Sequence, residues 1–204
     1  MHRIAAIILI VLLAGCAGKV TYTPPGEAGS IRNTRTVQMP DAQVWSNLVR
    51  GLSKKFFVIN NMDKSSGLIN LSYSGDPSKY VDCGQMNSFV ENARGKRSYI
   101  FDAASRHEIY ETLLNGTLLN WDRTVGLEGR MNVLLTPLTT GSTRVRVNVR
   151  YILQLHAVAS TPMGQVVGNF SKTITFDTGS PGRGIEITCQ STGELEREVL
   201  DLAQ

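Results

Sequence analysis

From Val37 onward the apolar residues recur with clear periods. After Pro40-Asp41, the side chains of Val44, Leu48 and Leu52 stand four apart, and Trp45 and Val49 widen the stripe. That spacing puts them on one face of a helix, which is expected to bury them on a sheet, with Trp45 in the core rather than at a ligand site. Phe56-Phe57-Val58-Ile59 reads as a strand and residues 60–67, with Asp63, Ser65, Ser66 and Gly67, as a turn. Leu68, Ile69, Leu71 and Tyr73 form a second strand, and residues 74–84 a polar loop carrying Cys83. Residues 98–101 suit a short strand. The stretch 108–114 fits a helix (Ile109 with Leu113, Tyr110 with Leu114) and also a strand, because the same residues alternate. The β-rich surroundings favour a strand.

A long hairpin follows. Leu127, Met131, Val133 and Leu135 share one parity, and Val145, Val147, Val149, Tyr151, Leu153 and Leu155 share theirs on the return. Both sets must face one side, since a slip of one residue would turn one of them into water. Pairing Leu135 with Val145 achieves this and requires an odd loop. Thr139-Thr140-Gly141, a type I turn ending in a left-handed glycine, is the expected solution. Thr161-Pro162-Met163-Gly164 turns the chain into a third strand at 166–176, where Phe170, Ile174 and Phe176 share a face. Residues 179–184 read as a flexible loop without the Gly-Lys-Ser/Thr ending of a phosphate cradle, and 185–189 lead to the last helix. There Ser191-x-x-Glu194 resembles a capping box, and Leu195, Val199 and Leu202 form the apolar stripe. The expected fold class is α+β: an antiparallel β-sheet with N- and C-terminal helices packed on one face, as a single periplasmic domain over 37–204.

The first residues follow different rules. Met1-His2-Arg3 is a short positive start, and residues 4–13 are continuously apolar. That run is shorter than the roughly 20 residues a membrane-spanning helix needs, and it reads as an export signal. Leu13-Ala14-Gly15-Cys16 resembles the bacterial lipobox, in which small residues fit the peptidase cleft and the following thiol accepts a diacylglycerol. The resemblance implies a signal peptide over 1–15, cleavage before Cys16, and a thioether lipid with palmitate-type chains on Cys16. Ordinary secretion, with a cut after Ala17 or Gly18, is the alternative. Each buried methylene contributes about 0.8 kcal/mol, so two or three acyl chains hold essentially irreversibly. Residues 16–36, with Pro24-Pro25-Gly26 and few apolar side chains, read as a lipidated tether. Ala17 stands where an aspartate would signal inner-membrane retention in enteric bacteria, so the outer membrane is the expected address.

Composition adds limits. The net charge of +4 suits an anionic membrane surface but is too weak to argue for nucleic-acid binding. With Cys16 committed to lipid, Cys83 and Cys189 are an even pair in an oxidising compartment and are expected to join as a disulfide. Two free thiols or a metal site are the rivals; for a metal, only His107 and His156 remain beyond the signal, without close Cys/His spacing.

The stretch 41–73 resembles the repeated domains of the BamC family, lipoprotein subunits of the outer-membrane β-barrel assembly machinery. The shared features are an amphipathic helix, a short strand ending in a polar turn, and Asp63-Lys64-Ser65-Ser66-Gly67-Leu68-Ile69 running into a second strand. The resemblance covers about a sixth of the chain. It implies a helix-grip-like sheet and a role as a scaffold rather than a catalyst. The chain departs from it in holding one domain rather than two and in adding the Cys83 and Cys189 pair. The later part, with the long hairpin and the Cys-Gln-Ser-Thr-Gly-Glu-Leu-Glu ending, is similar to uncharacterised proteobacterial lipoproteins.

Candidate chemistry is sparse. There is no Gly-x-Ser-x-Gly elbow. His107-Glu108 reads as a surface pair, His156 as a surface residue at a strand end, and Asn115-Gly116-Thr117 as a turn; Asp76 and Asp82 flank a loop without forming a catalytic pair. No catalytic residue, cofactor or metal ligand is therefore assigned. The hairpin register places Arg130 across from Arg150, with Arg144 and Arg146 on the same outer face and Glu128 near Arg150. Like charges directly opposite are destabilising. The face is either a solvated surface or a docking surface for a lipid headgroup, an acidic partner or a glycan. The expected function is a non-enzymatic envelope scaffold or assembly subunit that binds a protein partner. The alternative is a carrier for a lipid or small envelope ligand, which would keep an apolar cavity open.

Overall fold

A computed structural model describes residues 17–27, 29–55, 57–184 and 186–204. Residues 1–16, where the expected signal segment and the expected lipidation at Cys16 fall, and Ala28, Phe56 and Ile185 lie outside the described residues. The described elements run β1 (Ala17–Thr23), β2 (Thr34–Val37), α1 (Asp41–Leu52), β3 (Val58–Asp63), β4 (Leu68–Gly75), β5 (Val81–Asp82), β6 (Gln85–Asn92) and β7 (Gly95–Asp102). They continue with β8 (His107–Leu114), β9 (Thr117–Thr139), β10 (Ser142–Ser160), β11 (Val166–Asp177), β12 (Gly182–Arg183), β13 (Thr188–Ser191) and α2 (Glu194–Asp201).

The main sheet has the order β11-β10-β9-β4-β3, with β2 also pairing β10 and β8 pairing β9. Two smaller sheets, β1-β6-β7 and β12-β13-β5, complete the fold. The described residues are 60% strand and 11% helical, so the described part is mostly β, with several antiparallel sheets and two short helices. This overturns the α+β expectation of a helix-packed sheet. The excess strand comes from segments whose own pattern carries little signal. In β6 the buried positions are Ser88 and Val90, so apolar alternation is nearly absent, and β1 is almost entirely exposed. Such strands are defined by the neighbours they pair with.

The stretch read as a tether differs in the same way. β1 pairs with β6 along its whole length, from Ala17↔Glu91 to Thr23↔Gln85, and β2 pairs with β10. The Tyr22 hydroxyl donates to the carbonyls of Cys83 and Thr188, 3.0 Å each, and accepts from the Thr188 amide at 2.9 Å.

The hairpin register is as expected: Leu135↔Val145, Met131↔Val149, Leu127↔Leu153 and Arg130↔Arg150. The device that sets it is different. Thr139 pairs with Ser142 but Pro137 with Thr143, so the loop is Thr140-Gly141 and Leu138 is an extra, bulged residue. Gly141 is absent from the positive-φ glycines, so the left-handed loop glycine does not form. Proline has no N–H for the ladder and is tolerated at bulges, which is why the odd offset falls beside Pro137. At the next hairpin Asn115 and Gly116 both have positive φ, 50° and 78°, the requirement of a type I′ turn.

The inward positions of β4, β9 and β10 meet the stripes of both helices. Val44, Leu48, Leu52, Leu195 and Val199 are fully buried with Ile69, Val133, Val145 and Val147. Burying each such side chain contributes about 1.5–3 kcal/mol. The capping box does not form: Ser191 ends β13, paired with Val81, and Gly193 at φ 80° caps α2 instead. Cys83 and Cys189 are joined, with sulfurs 2.02 Å and α-carbons 4.0 Å apart, and both are buried. A second core lies where β1-β6-β7 packs on β8. Val90, Phe101, Tyr110 and Leu119 are buried there, and the Phe101 and Tyr110 rings stand 4.9 Å apart.

Candidate docking face

The even-numbered residues of β9 and β10 point away from the helices, so every polar residue at those positions joins one outer face. In register, Asn70, Asn132 and Asn148 form a row across β4, β9 and β10. Asn70 Nδ2 donates to Asn132 Oδ1 at 2.5 Å, and Asn33 Nδ2 to Asn148 Oδ1 at 3.0 Å. The next row is Ser72, Arg130, Arg150 and Asp177. Together the rows line an open groove of about 660 Å³ that includes Asn60, Asn70, Asn132, Asn148, Arg130 and Arg150.

The two opposed arginines do not face each other uncompensated. Arg130 Nε lies 2.7 Å from Glu128 Oε1, and Arg150 contacts both oxygens of Asp177 at 2.9 and 3.3 Å. Glu128, expected near Arg150, pairs with its own strand neighbour instead. The hydrogen bond and charge of Asp177 push the Arg150 guanidinium further up. Arg144 and Arg146 are exposed on the same strand face, between β9 and β2, and lie outside the groove. Among the described residues, no carboxylate comes within 4.0 Å of either. The face therefore joins a charge-balanced groove, rich in amide donors and acceptors, to a basic margin at Arg144 and Arg146.

No family model matches this chain, and no curated protein or solved structure matches it. The site must be read from its own chemistry.

Other sequence candidates are dispersed. His107 is exposed with Nε2 2.9 Å from Asp122 Oδ1, and His156 contacts Ser171 at 3.0 Å. Asp76 accepts from the Ser78 amide and hydroxyl, which hold its carboxyl below the usual range, and Asp82 accepts from the Gly84 amide. Cys16 lies outside the described residues.

Among the described residues, one acidic and one basic side chain are buried without any mark in the sequence. Glu196 is fully buried; Tyr151 Oη donates to its Oε2 and Thr178 Oγ1 to its Oε1, both at 2.7 Å. Burial, reinforced by that carboxyl, pushes the Tyr151 phenol strongly up. Arg123 is 4% exposed, donates to the Ala103 carbonyl and lies 5.9 Å from the Phe101 ring centre. Burial pushes its guanidinium down. An acid between Leu195 and Arg197, or an arginine in a strand, carries no local mark of burial.

Proposed function

We propose that the chain is a membrane-anchored envelope lipoprotein, held by lipid on Cys16 at the periplasmic face of the outer membrane. It acts as a non-enzymatic scaffold or assembly subunit whose outer sheet face binds a protein partner. The observation that carries the reading is the face itself: the half-buried amide of Asn70 and the exposed Asn132 and Asn148 beside Arg144 and Arg146, which have no carboxylate of their own among the described residues. Asparagine amides both donate and accept and suit a polar protein surface, and the two arginines suit an acidic segment of it. Packing favours a scaffold over a carrier. The space between helices and sheet, which a carrier would keep open, is filled by Leu48, Leu52, Tyr151, Leu195 and Leu200, each under 2% exposed.

Purified partner-containing complexes from detergent-solubilised envelope test this. Arg144→Glu with Arg146→Glu should dissociate the partner while leaving the melting temperature of the chain within a degree or two. Added salt should weaken the wild-type complex, because exposed charges are screened over about 10 Å at 0.1 M. A partner that stays bound to the double variant at all salt concentrations would overturn the assignment of this face.

A further inference from the structure

Four segments converge at one end of the molecule. Ala17 pairs with Glu91, next to the turn at residues 93–94 that joins β6 to β7. Gly18 lies against β8, where Leu113 fills the space a side chain would need. Leu114 then pairs with Thr117 across the turn to β9. Asn120 pairs with Ser160, beyond which Thr161 and Gln165 close the turn to β11. Three hairpin turns thus lie at the end of the molecule where β1 starts. Exposed side chains on or beside them include Leu114 (59%), Val166 (61%) and Met163 (96%), with Arg94 exposed on the turn between β6 and β7 and Lys96, which ion-pairs with Glu91, exposed at the start of β7.

We infer that this end is a second, non-covalent membrane contact, whose occupant is the lipid bilayer itself. The inference rests on the lipid-anchor reading of Cys16. One peptide unit, about 3.8 Å between α-carbons, separates Cys16 from Ala17. Because β1 is paired along its whole length, only that unit and the thioether-glyceryl arm separate the acyl chains from the folded body. The bilayer surface is thereby brought against the three turns. Met163, Leu114 and Val166 gain apolar surroundings at the interface, and the basic turn meets anionic headgroups. A large side chain 96% exposed on a tight turn then has a partner.

The orientation has a consequence for the docking face. β10 runs 19 residues from the membrane end to the far hairpin, about 60 Å at roughly 3.3 Å per residue. The Thr140-Gly141 turn stands farthest from the bilayer, with Arg144 and Arg146 near it. Those arginines therefore reach a partner domain in the periplasm rather than headgroups of the anchoring membrane.

The test uses the full chain, processed and lipidated in cells, and reconstituted in vesicles of phosphatidylethanolamine and phosphatidylglycerol. With Cys83 and Cys189 bonded and Cys16 alkylated by lipid, an introduced thiol is the reactive one. Met163→Cys, Leu114→Cys and Thr140→Cys each receive an environment-sensitive fluorophore. Labels at Met163 and Leu114 should shift to the blue and lose intensity to brominated acyl chains; the label at Thr140 should do neither. Water-like emission at Met163 and Leu114, or equal quenching at Thr140, overturns the inference. Mass spectrometry of the same samples separates the two readings. A Cys16 without diacylglycerol overturns the anchor and this contact with it, whereas a lipidated Cys16 with an aqueous Met163 overturns the contact alone.

Discussion

Opening the Cys83–Cys189 bond should lower stability by several kcal/mol. The bond spans a sequence separation of 106 and ties the β13–α2 end of the chain to β5. Loop-closure entropy for that separation gives about 4.8 kcal/mol, within the ~2–5 kcal/mol typical for removing a native disulfide. Native contacts around the bond remain available to the reduced chain: the Tyr22 hydroxyl still links Cys83 and Thr188, and Ser191 still pairs with Val81. The reduced protein should therefore stay folded but weaker. For a domain of this size each kcal/mol moves the melting temperature by about 2–4 °C, so a drop of roughly 10 °C is expected. Thermal melts followed by circular dichroism, with and without reductant, measure it, and mass spectrometry after thiol alkylation confirms reduction. Cys83→Ala with Cys189→Ala should reproduce the effect without reductant. A fully reduced protein melting within a degree or two of the oxidised one would show that the bond closes no costly loop, and the reasoning would fail.

The buried carboxyl of Glu196 should couple to Tyr151. Glu196→Leu strands the buried Tyr151 hydroxyl, while Thr178 keeps its bonds to the Val149 backbone, and should cost about 1–3 kcal/mol; a double-mutant cycle with Tyr151→Phe should return a coupling of about 1–2 kcal/mol from denaturant melts. Additive losses would contradict the contact. Asp63 accepts hydrogen bonds from the Ser65 and Ser66 hydroxyls and the Ser65 amide, which lower its carboxyl from the usual 3.8 to about 2. A depressed carboxyl stabilises fully above the unfolded value and loses that contribution as pH falls through the folded one. The turn should therefore weaken between about pH 4 and pH 2, and Asp63→Asn should remove that part of the acid dependence; an NMR midpoint near 3.8 would contradict it.

What the sequence disclosed follows from where the physics is local. The stripe of Val44, Leu48 and Leu52 needs only helical geometry to be read; α1 takes in Asp41 itself, one residue earlier than the pattern places it. The odd-numbered valines of β10 limit their register because a slip by one residue would expose them, and with Leu135 opposite Val145 the same register brings Arg130 to Arg150. The bulge at Leu138 was illegible because it depends on how Pro137 is placed in a ladder. β6 and β7 were largely hidden because Asn87, Ser88 and Arg97 look like loop residues until β1 and β8 cover them. The fold class was misjudged with them. Arg150 finds Asp177 rather than Glu128 because β11 pairs there, a long-range fact that neither residue's neighbours announce. Ser191 looked like a helix cap because its spacing to Glu194 is local, while its pairing with Val81 is not.

The most direct test of a lipid-anchored scaffold with its docking face on the outer sheet is site-specific photocrosslinking in living cells. A photoreactive residue replaces Asn132 on the exposed face or Lys54 on the exposed surface beside α1. Asn132 should yield a discrete crosslinked band in the outer-membrane fraction, lost in the background of Arg144→Glu with Arg146→Glu, while Lys54 yields none. Crosslinks from Lys54 to the same partner with none from Asn132, or recovery of the chain in the soluble fraction, would contradict it.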